Sequence, residues 1–136
     1  MSAPLFSQNR RVLFQEIDAA GIVFFARFFE WFHDAYACWF AERGLRFAEV
    51  IARGDWGVPL VHAEADYREP LLLDAQIRVE IDSLELGDSS MTIAYSVRGA
   101  GDAVHATGRT VHVFIDRASF RKRAVPDEVR RALKPA

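Results

Sequence analysis

Between Phe24 and Arg43 the chain runs for twenty residues without a glycine or a proline, and Gly44 then offers a natural stop. A stretch of that length reads as one long helix closed by a glycine C-cap. At about 100° per residue, Phe25, Phe28, Phe29, Phe32, Tyr36, Trp39 and Phe40 fall on one broad face. Arg27, Glu30 and Asp34, with small Ala37 and Ala41, leave only a narrow polar stripe. A helix apolar around most of its circumference has to be covered on most sides. Whatever else the chain forms must therefore wrap this helix.

The remaining sequence supplies the wrapping. Residues 9 to 16, with Val12 and Phe14, suggest a first strand, broken at Ala19-Ala20-Gly21. Residues 45 to 53 allow a short second helix closed by Gly54-Asp55. After Pro59 the period changes to two. Ile77, Val79 and Ile81 alternate with Arg78, Glu80 and Asp82; Gly87-Asp88 makes a turn; Met91, Ile93, Tyr95 and Val97 alternate again. Gly99-Ala100-Gly101-Asp102 turns into a long strand running to about Asp116 with Val111, Val113 and Ile115, and Pro126 is placed to open a terminal helix. Short turns imply antiparallel neighbours. The expected class is α+β: an antiparallel sheet of about five strands wrapped around one long central helix, with residues 1–136 forming a single domain.

Composition narrows the function. A net charge of −2 gives no global electrostatic reason to bind nucleic acid or a membrane surface. No run approaches the roughly 18 apolar residues of a membrane-spanning helix. Cys38 is the only cysteine, which excludes an internal disulfide and favours a reducing compartment. With no signal-peptide pattern, a cytoplasmic location is expected. Four scattered histidines and one cysteine define no metal site, and no cofactor is expected.

Glycine-rich phosphate loops, Gly-x-Ser-x-Gly elbows and His-x-x-x-His pairs are missing from the sequence. What remains is Asp18, three residues ahead of Gly21 and just before the long helix. Asp18 read alone is a surface turn carboxylate or helix cap. Read as chemistry, it is an acid beside the free N–H groups and positive end of a helix, near Phe24 and Phe25. Such a pair suits a thioester, with the carboxylate as nucleophile or general base and the N–H groups on the oxyanion. His33 at the margin of the aromatic face and His62 are either core-edge histidines or substrate contacts, while His105 and His112 read as sheet residues. Arg117, Arg121, Lys122 and Arg123 are either a solvated loop or a phosphate-binding cluster.

Asp18-Ala-Ala-Gly-Ile-Val followed by the aromatic helix resembles the hotdog-fold thioesterases of the 4-hydroxybenzoyl-CoA type, from about Arg11 to Pro126. The segments His33-Asp-Ala-Tyr36, Gly54-Asp55-Trp56 and Pro59 to Ala63 are more similar still to 1,4-dihydroxy-2-naphthoyl-CoA thioesterases. The chain departs from the usual pattern in having His33 where the 4-hydroxybenzoyl enzyme has an aspartate, and Leu73-Asp74 where a Gly-Asp opens the long strand.

The resemblance implies a hotdog fold and hydrolysis of a bulky, aromatic acyl-CoA, with coenzyme A as part of the substrate. It implies Asp18 as the catalytic carboxylate and the Phe25 backbone N–H as the thioester-oxygen donor. Gly21, Phe24, His33, Val58 and His62 become substrate-binding candidates, and Arg117, Arg121, Lys122 and Arg123 candidates for the CoA phosphates. A homodimer with active sites at its interface is implied, and a dimer of dimers. Two rivals differ in substrate or chemistry: a thioesterase for aliphatic acyl-CoA or acyl-carrier protein, and a hotdog domain that binds acyl thioesters without hydrolysis.

Overall fold

A computed structural model describes residues 3 to 134. The long helix, α1, spans Arg27–Glu42 and buries Phe28, Trp31, Phe32, Ala35, Tyr36, Trp39 and Phe40. Trp31 thus joins the buried face, whereas Phe25 falls outside the helix and is 58% exposed. Each fully buried aromatic contributes roughly 1.5–3 kcal/mol through apolar area removed from water. Gly44 ends the helix with a φ of +88°, a backbone state that a side chain would oppose.

In chain order the other elements are β1 (Phe6–Arg11), α2 (Phe47–Arg53), β2 (Trp56–Gly57), β3 (Leu60–Tyr67), β4 (Gln76–Leu86), β5 (Ser90–Arg98), β6 (Val104–Val113), β7 (Ile115–Asp116) and α3 (Asp127–Ala132). Five strands form one antiparallel sheet in the order β1-β4-β5-β6-β3, and β2 pairs with β7 in a small second ribbon. The period-two segments behave as their patterns require: Ile77, Val79, Ile81, Met91, Ile93, Tyr95 and Val97 are all buried against α1. Gly108 on β6 lies under the Phe32 ring, where any side chain would collide with it, so this glycine lets helix and sheet approach.

Three expectations shift. The first strand is β1 at Phe6–Arg11 rather than 9 to 16, and Phe14–Glu16 forms a single 3-10 turn instead. One side-chain acceptor explains the break: Glu16 receives the Leu13 N–H at 2.8 Å and pulls the chain out of the ladder. The helix starts at Arg27 rather than Phe24: the Phe24 N–H bonds the Glu16 carbonyl at 2.9 Å, and Phe24 to Ala26 lead in through tight turns, their carbonyls accepting from Arg27, Phe28 and Phe29. The long late strand is split at Phe114 into β6 and β7. Its inward positions are Ala106, Thr110, His112 and Phe114, all buried, while Val111 and Val113 are only half-buried. Asp74, at the Leu73-Asp74 departure, adopts a φ of +68° and pairs with Arg11 at 2.6 Å.

Candidate active site

Asp18 sits in a tight turn between Ile17 and Val23, which form an isolated antiparallel bridge. Its N–H donates to the Ile22 carbonyl at 2.8 Å, its own carbonyl accepts the Gly21 N–H at 3.0 Å, and its Oδ1 accepts the Ala20 N–H at 2.8 Å. Gly21 carries the positive φ, +82°, that this reversal demands. The turn is held from below by Glu16, which is 5% exposed. Glu16 accepts from Trp31 Nε1 at 2.7 Å and from Arg10 at 2.9 Å, so a buried carboxylate fixes the 3-10 turn two residues before Asp18 to the second turn of α1.

The approach to α1 is fixed just as closely. Phe24 is tied down through its N–H, and the Tyr67 hydroxyl at the end of β3 donates to the Phe25 carbonyl at 3.0 Å. Among the described residues the Phe25 N–H has no hydrogen-bond acceptor, as expected of a donor ahead of the first helical turn. Asp18, Ile22, Phe25, Phe28 and Tyr67 line one open cleft of about 430 Å³. Asp18 and Phe25 therefore line the same space. Phe24, 42% exposed, packs its ring on Phe25 with centroids 4.8 Å apart, and Gly21 shapes the turn without lining the cleft.

A second chamber, of about 240 Å³, lies farther along α1, between Phe29, His33 and Tyr36 on the helix, Val58 to Leu60 and Ala63 beside and on β3, and Tyr95, Thr110 and His112 on the sheet. His33, Tyr36 and Val58 also border an adjoining recess of about 310 Å³, reached by Arg117. The chamber's sheet wall carries a short polar chain, with His112 Nδ1 buried at its end and unpaired among the described residues. The Tyr95 hydroxyl and Thr110 Oγ1 are 2.8 Å apart, and Thr110 Oγ1 is 3.0 Å from His112 Nε2. Burial, with His33 nearby, pushes His112 down to about 4, leaving it uncharged near neutrality, and burial raises the Tyr36 hydroxyl to about 12.

The structure separates some of the expected residues. His62 lines neither space, and its Nε2 lies 3.1 Å from Glu64 Oε1 on the exposed edge strand. Arg117, Arg121 and Lys122 are exposed, and Arg123 half-exposed, around one hairpin in which Ile115 bridges to Lys122. Only Arg117 of these reaches the recess beside His33. Tyr67, Tyr36, Thr110 and His112 were not singled out as site residues by sequence reasoning. For Thr110 and His112 a signal existed: two polar residues occupy the inward phase of a strand whose apolar residues alternate out of step.

A helix cradled by a five-stranded antiparallel sheet, with an acid and an unpaired N–H at the helix approach, is the hotdog architecture of thioester-processing proteins. The thioesterase-like superfamily model matches residues 12–133, and the chain belongs to that family. It is 32% identical over 124 residues to 1,4-dihydroxy-2-naphthoyl-CoA hydrolase of Nostoc punctiforme, covering 91% of this chain and 83% of that one. The like-named hydrolase of Trichodesmium erythraeum is 30% identical over 130 residues, covering 94% of each. Among solved structures, a 1,4-dihydroxy-2-naphthoyl-CoA thioesterase from Synechocystis superposes with a TM-score of 0.89 at 27% identity, covering 94% of each chain. A gentisyl-coenzyme A thioesterase superposes with a TM-score of 0.83 at 29% identity, covering 94% of this chain and 99% of that one.

Proposed function

We propose that this protein hydrolyses an aromatic acyl-CoA thioester to the free acid and coenzyme A, working as a homodimer. The observation that carries the chemistry is the shared cleft of Asp18 and the unpaired Phe25 N–H. The Phe25 N–H polarises the thioester carbonyl and stabilises the oxyanion as negative charge develops on it. Asp18 supplies the carboxylate, as nucleophile on the carbonyl carbon or as general base on water. The aromatic acyl group is supported by the aromatic and apolar walls of the chamber beside His33, and by the names of the relatives.

The case for a dimer rests on β3. It is an edge strand, and every residue in it except Ala65 is exposed, with Leu60 at 53%, Val61 at 59% and Tyr67 at 46%. A long, bare, partly apolar edge is a template for strand pairing. The two halves of the site also lie apart: the Asp18 cleft meets β3 at Tyr67, the acyl chamber meets it at Leu60 and Ala63, and no residue lines both. Eight extended residues place these ends roughly 20 Å apart. Antiparallel pairing of β3 with its own copy inverts one strand, so that the Tyr67 end of one protomer lies beside the Leu60 end of the other. Each active site then joins the Asp18 cleft of one protomer to the chamber of the second.

The hairpin residues Arg117, Arg121, Lys122 and Arg123 are proposed to receive the CoA phosphates, as the nearest exposed basic cluster to that chamber. Pairing of dimers into a tetramer and a cytoplasmic location belong to the same reading, the latter supported by the single, unpaired Cys38. A free-thiol release assay across aroyl, naphthoyl and aliphatic CoA thioesters tests the function. Preferential turnover of the aromatic thioesters supports it, and preferential turnover of aliphatic ones, or no thiol release from any, contradicts it.

A further inference from the structure

Tyr36 is a buried polar group that the fold does not use. It is 5% exposed and lies one helical turn from His33, lining both the chamber and the adjoining recess. Its ring is wedged edge-on against Phe40 at 5.6 Å, Phe47 at 5.4 Å and His33 at 5.3 Å, and stands 4.9 Å from His112. Its hydroxyl nevertheless makes no hydrogen bond among the described residues, while beside it Tyr95 pairs with Thr110 and Thr110 with His112 Nε2, leaving His112 Nδ1 buried without a partner. Buried tyrosines ordinarily find a partner for the hydroxyl. A rigid phenol left unpaired at the wall of a cavity is a donor waiting for a ligand.

We infer that the Tyr36 hydroxyl is the specificity-determining group of the acyl chamber, hydrogen-bonding an uncharged oxygen (hydroxyl or carbonyl) on the aromatic ring seated there. This rests on the aromatic acyl-CoA reading and adds to it the substituent that is read. The space fits: an apolar cavity of about 150 Å³ accommodates benzene, and this chamber of about 240 Å³ takes a ring bearing substituents or a fused pair of rings. The sign of the charge follows from the wall. The phenol is raised to about 12 and His112 lowered to about 4, so the buried part of the wall around Tyr36 presents dipoles and no charge, with His33 and Arg117 toward the rim and the adjoining recess. A carboxylate pressed against that buried part would lose its hydration.

Tyr36→Phe is a clean test, because it removes one oxygen that no protein group needs. The probes are 1-hydroxy-2-naphthoyl-CoA, 2-naphthoyl-CoA and a carboxy-substituted naphthoyl-CoA. The variant is expected to melt no lower than wild type and to lose about tenfold in kcat/KM on the hydroxylated thioester, the scale of one well-placed hydrogen bond. On 2-naphthoyl-CoA it should stay within about twofold of wild type, since no bond is lost there. The carboxylated thioester should be the poorest of the three for wild type. Equal losses on both uncharged thioesters, an unchanged preference, or carboxylated turnover matching the hydroxylated one would overturn the assignment. Calorimetric titration with free 1-hydroxy-2-naphthoate and 2-naphthoate separates the two levels of the argument. If wild type cleaves no thioester, the hydrolase reading fails, and Tyr36 is still decided by binding: a hydroxyl preference abolished in Tyr36→Phe supports it, and equal preferences in both proteins overturn it.

Discussion

At the Tyr67 end of β3, Asp18 stands in a half-exposed turn, its carboxylate bonded only to a neighbouring backbone N–H, beside a donor with no acceptor. At the Leu60 end, His112, Thr110 and Tyr95 are sunk in the sheet wall and bonded to one another, and burial holds the histidine uncharged. The first region is open, with an under-satisfied carboxylate and backbone donor set among largely apolar side chains. The second is enclosed, aromatic and nearly neutral, as a place that selects a ring must be. One edge strand carries both, at opposite ends, and no residue lines both spaces. The difference teaches that the reactive and the selective features sit in separate parts of the protomer, which the proposed dimer would join.

The largest effect belongs to the reactive end. Asp18→Asn should lower thioester hydrolysis by at least roughly 10²-fold, the scale of a lost general base, with an unchanged melting temperature and oligomeric state. Wild-type turnover of a good aromatic substrate by this variant would return Asp18 to a plain turn residue. Next is the strand that links the ends: Val61→Asp, placing a charge on the bare edge of β3, should shift the protein to monomer in sedimentation and abolish turnover while leaving far-ultraviolet circular dichroism intact. A fully active monomer would break the comparison outright.

A smaller change is expected at the basic hairpin. Replacing Arg117 and Arg121 by Glu should raise KM several-fold at low salt with little change in kcat, and the difference should shrink toward about 1 M salt, where the Debye length is near 3 Å. A kcat defect with KM unchanged would remove these residues from phosphate binding. The smallest effect concerns stability at the selective end. His112 has a folded pKa of about 4, below its ordinary 6.5, so the unfolded chain takes up the proton first as pH falls. Its contribution to stability is therefore complete above pH 6.5 and declines down to about 4, below which no further loss arises from this group. His112→Asn should flatten that part of the denaturation-versus-pH curve; an identical slope in both proteins would show that His112 does not titrate so.

Much of this molecule is legible from its residues, and the illegible parts have physical causes. The helix, the β4 and β5 alternations and the stopping glycines follow from periodicity, because one face of each element meets a single core. The start of α1 does not, since nothing in Phe24-Phe25-Ala26 opposes a helix, yet these residues form tight turns ahead of it. β6 misleads because its inward phase carries Thr110 and His112, polar residues kept inside by hydrogen bonds to each other. Asp18 is visible as an acid before a helix, and its place in one cleft with Phe25 is framed by Glu16, Trp31 and Tyr67, whose contacts span 15 and 42 residues of sequence. His62 sits on the edge strand paired with Glu64, a placement that the run Val-His-Ala-Glu does not distinguish from a pocket contact.

Subunit complementation tests the division of the site most directly. Asp18→Asn removes the reactive end, and Val58→Trp fills the chamber that Val58 lines; each homodimer should be inactive. Mixed in equal amounts and allowed to exchange, half of the dimers are hybrids, each with one intact Asp18 facing one open chamber, and activity should return to about a quarter of the wild-type value in a two-fold symmetric dimer. If the hybrids remain as inactive as the parents, Asp18 and the chamber serve one another within a single chain, and the site is not shared.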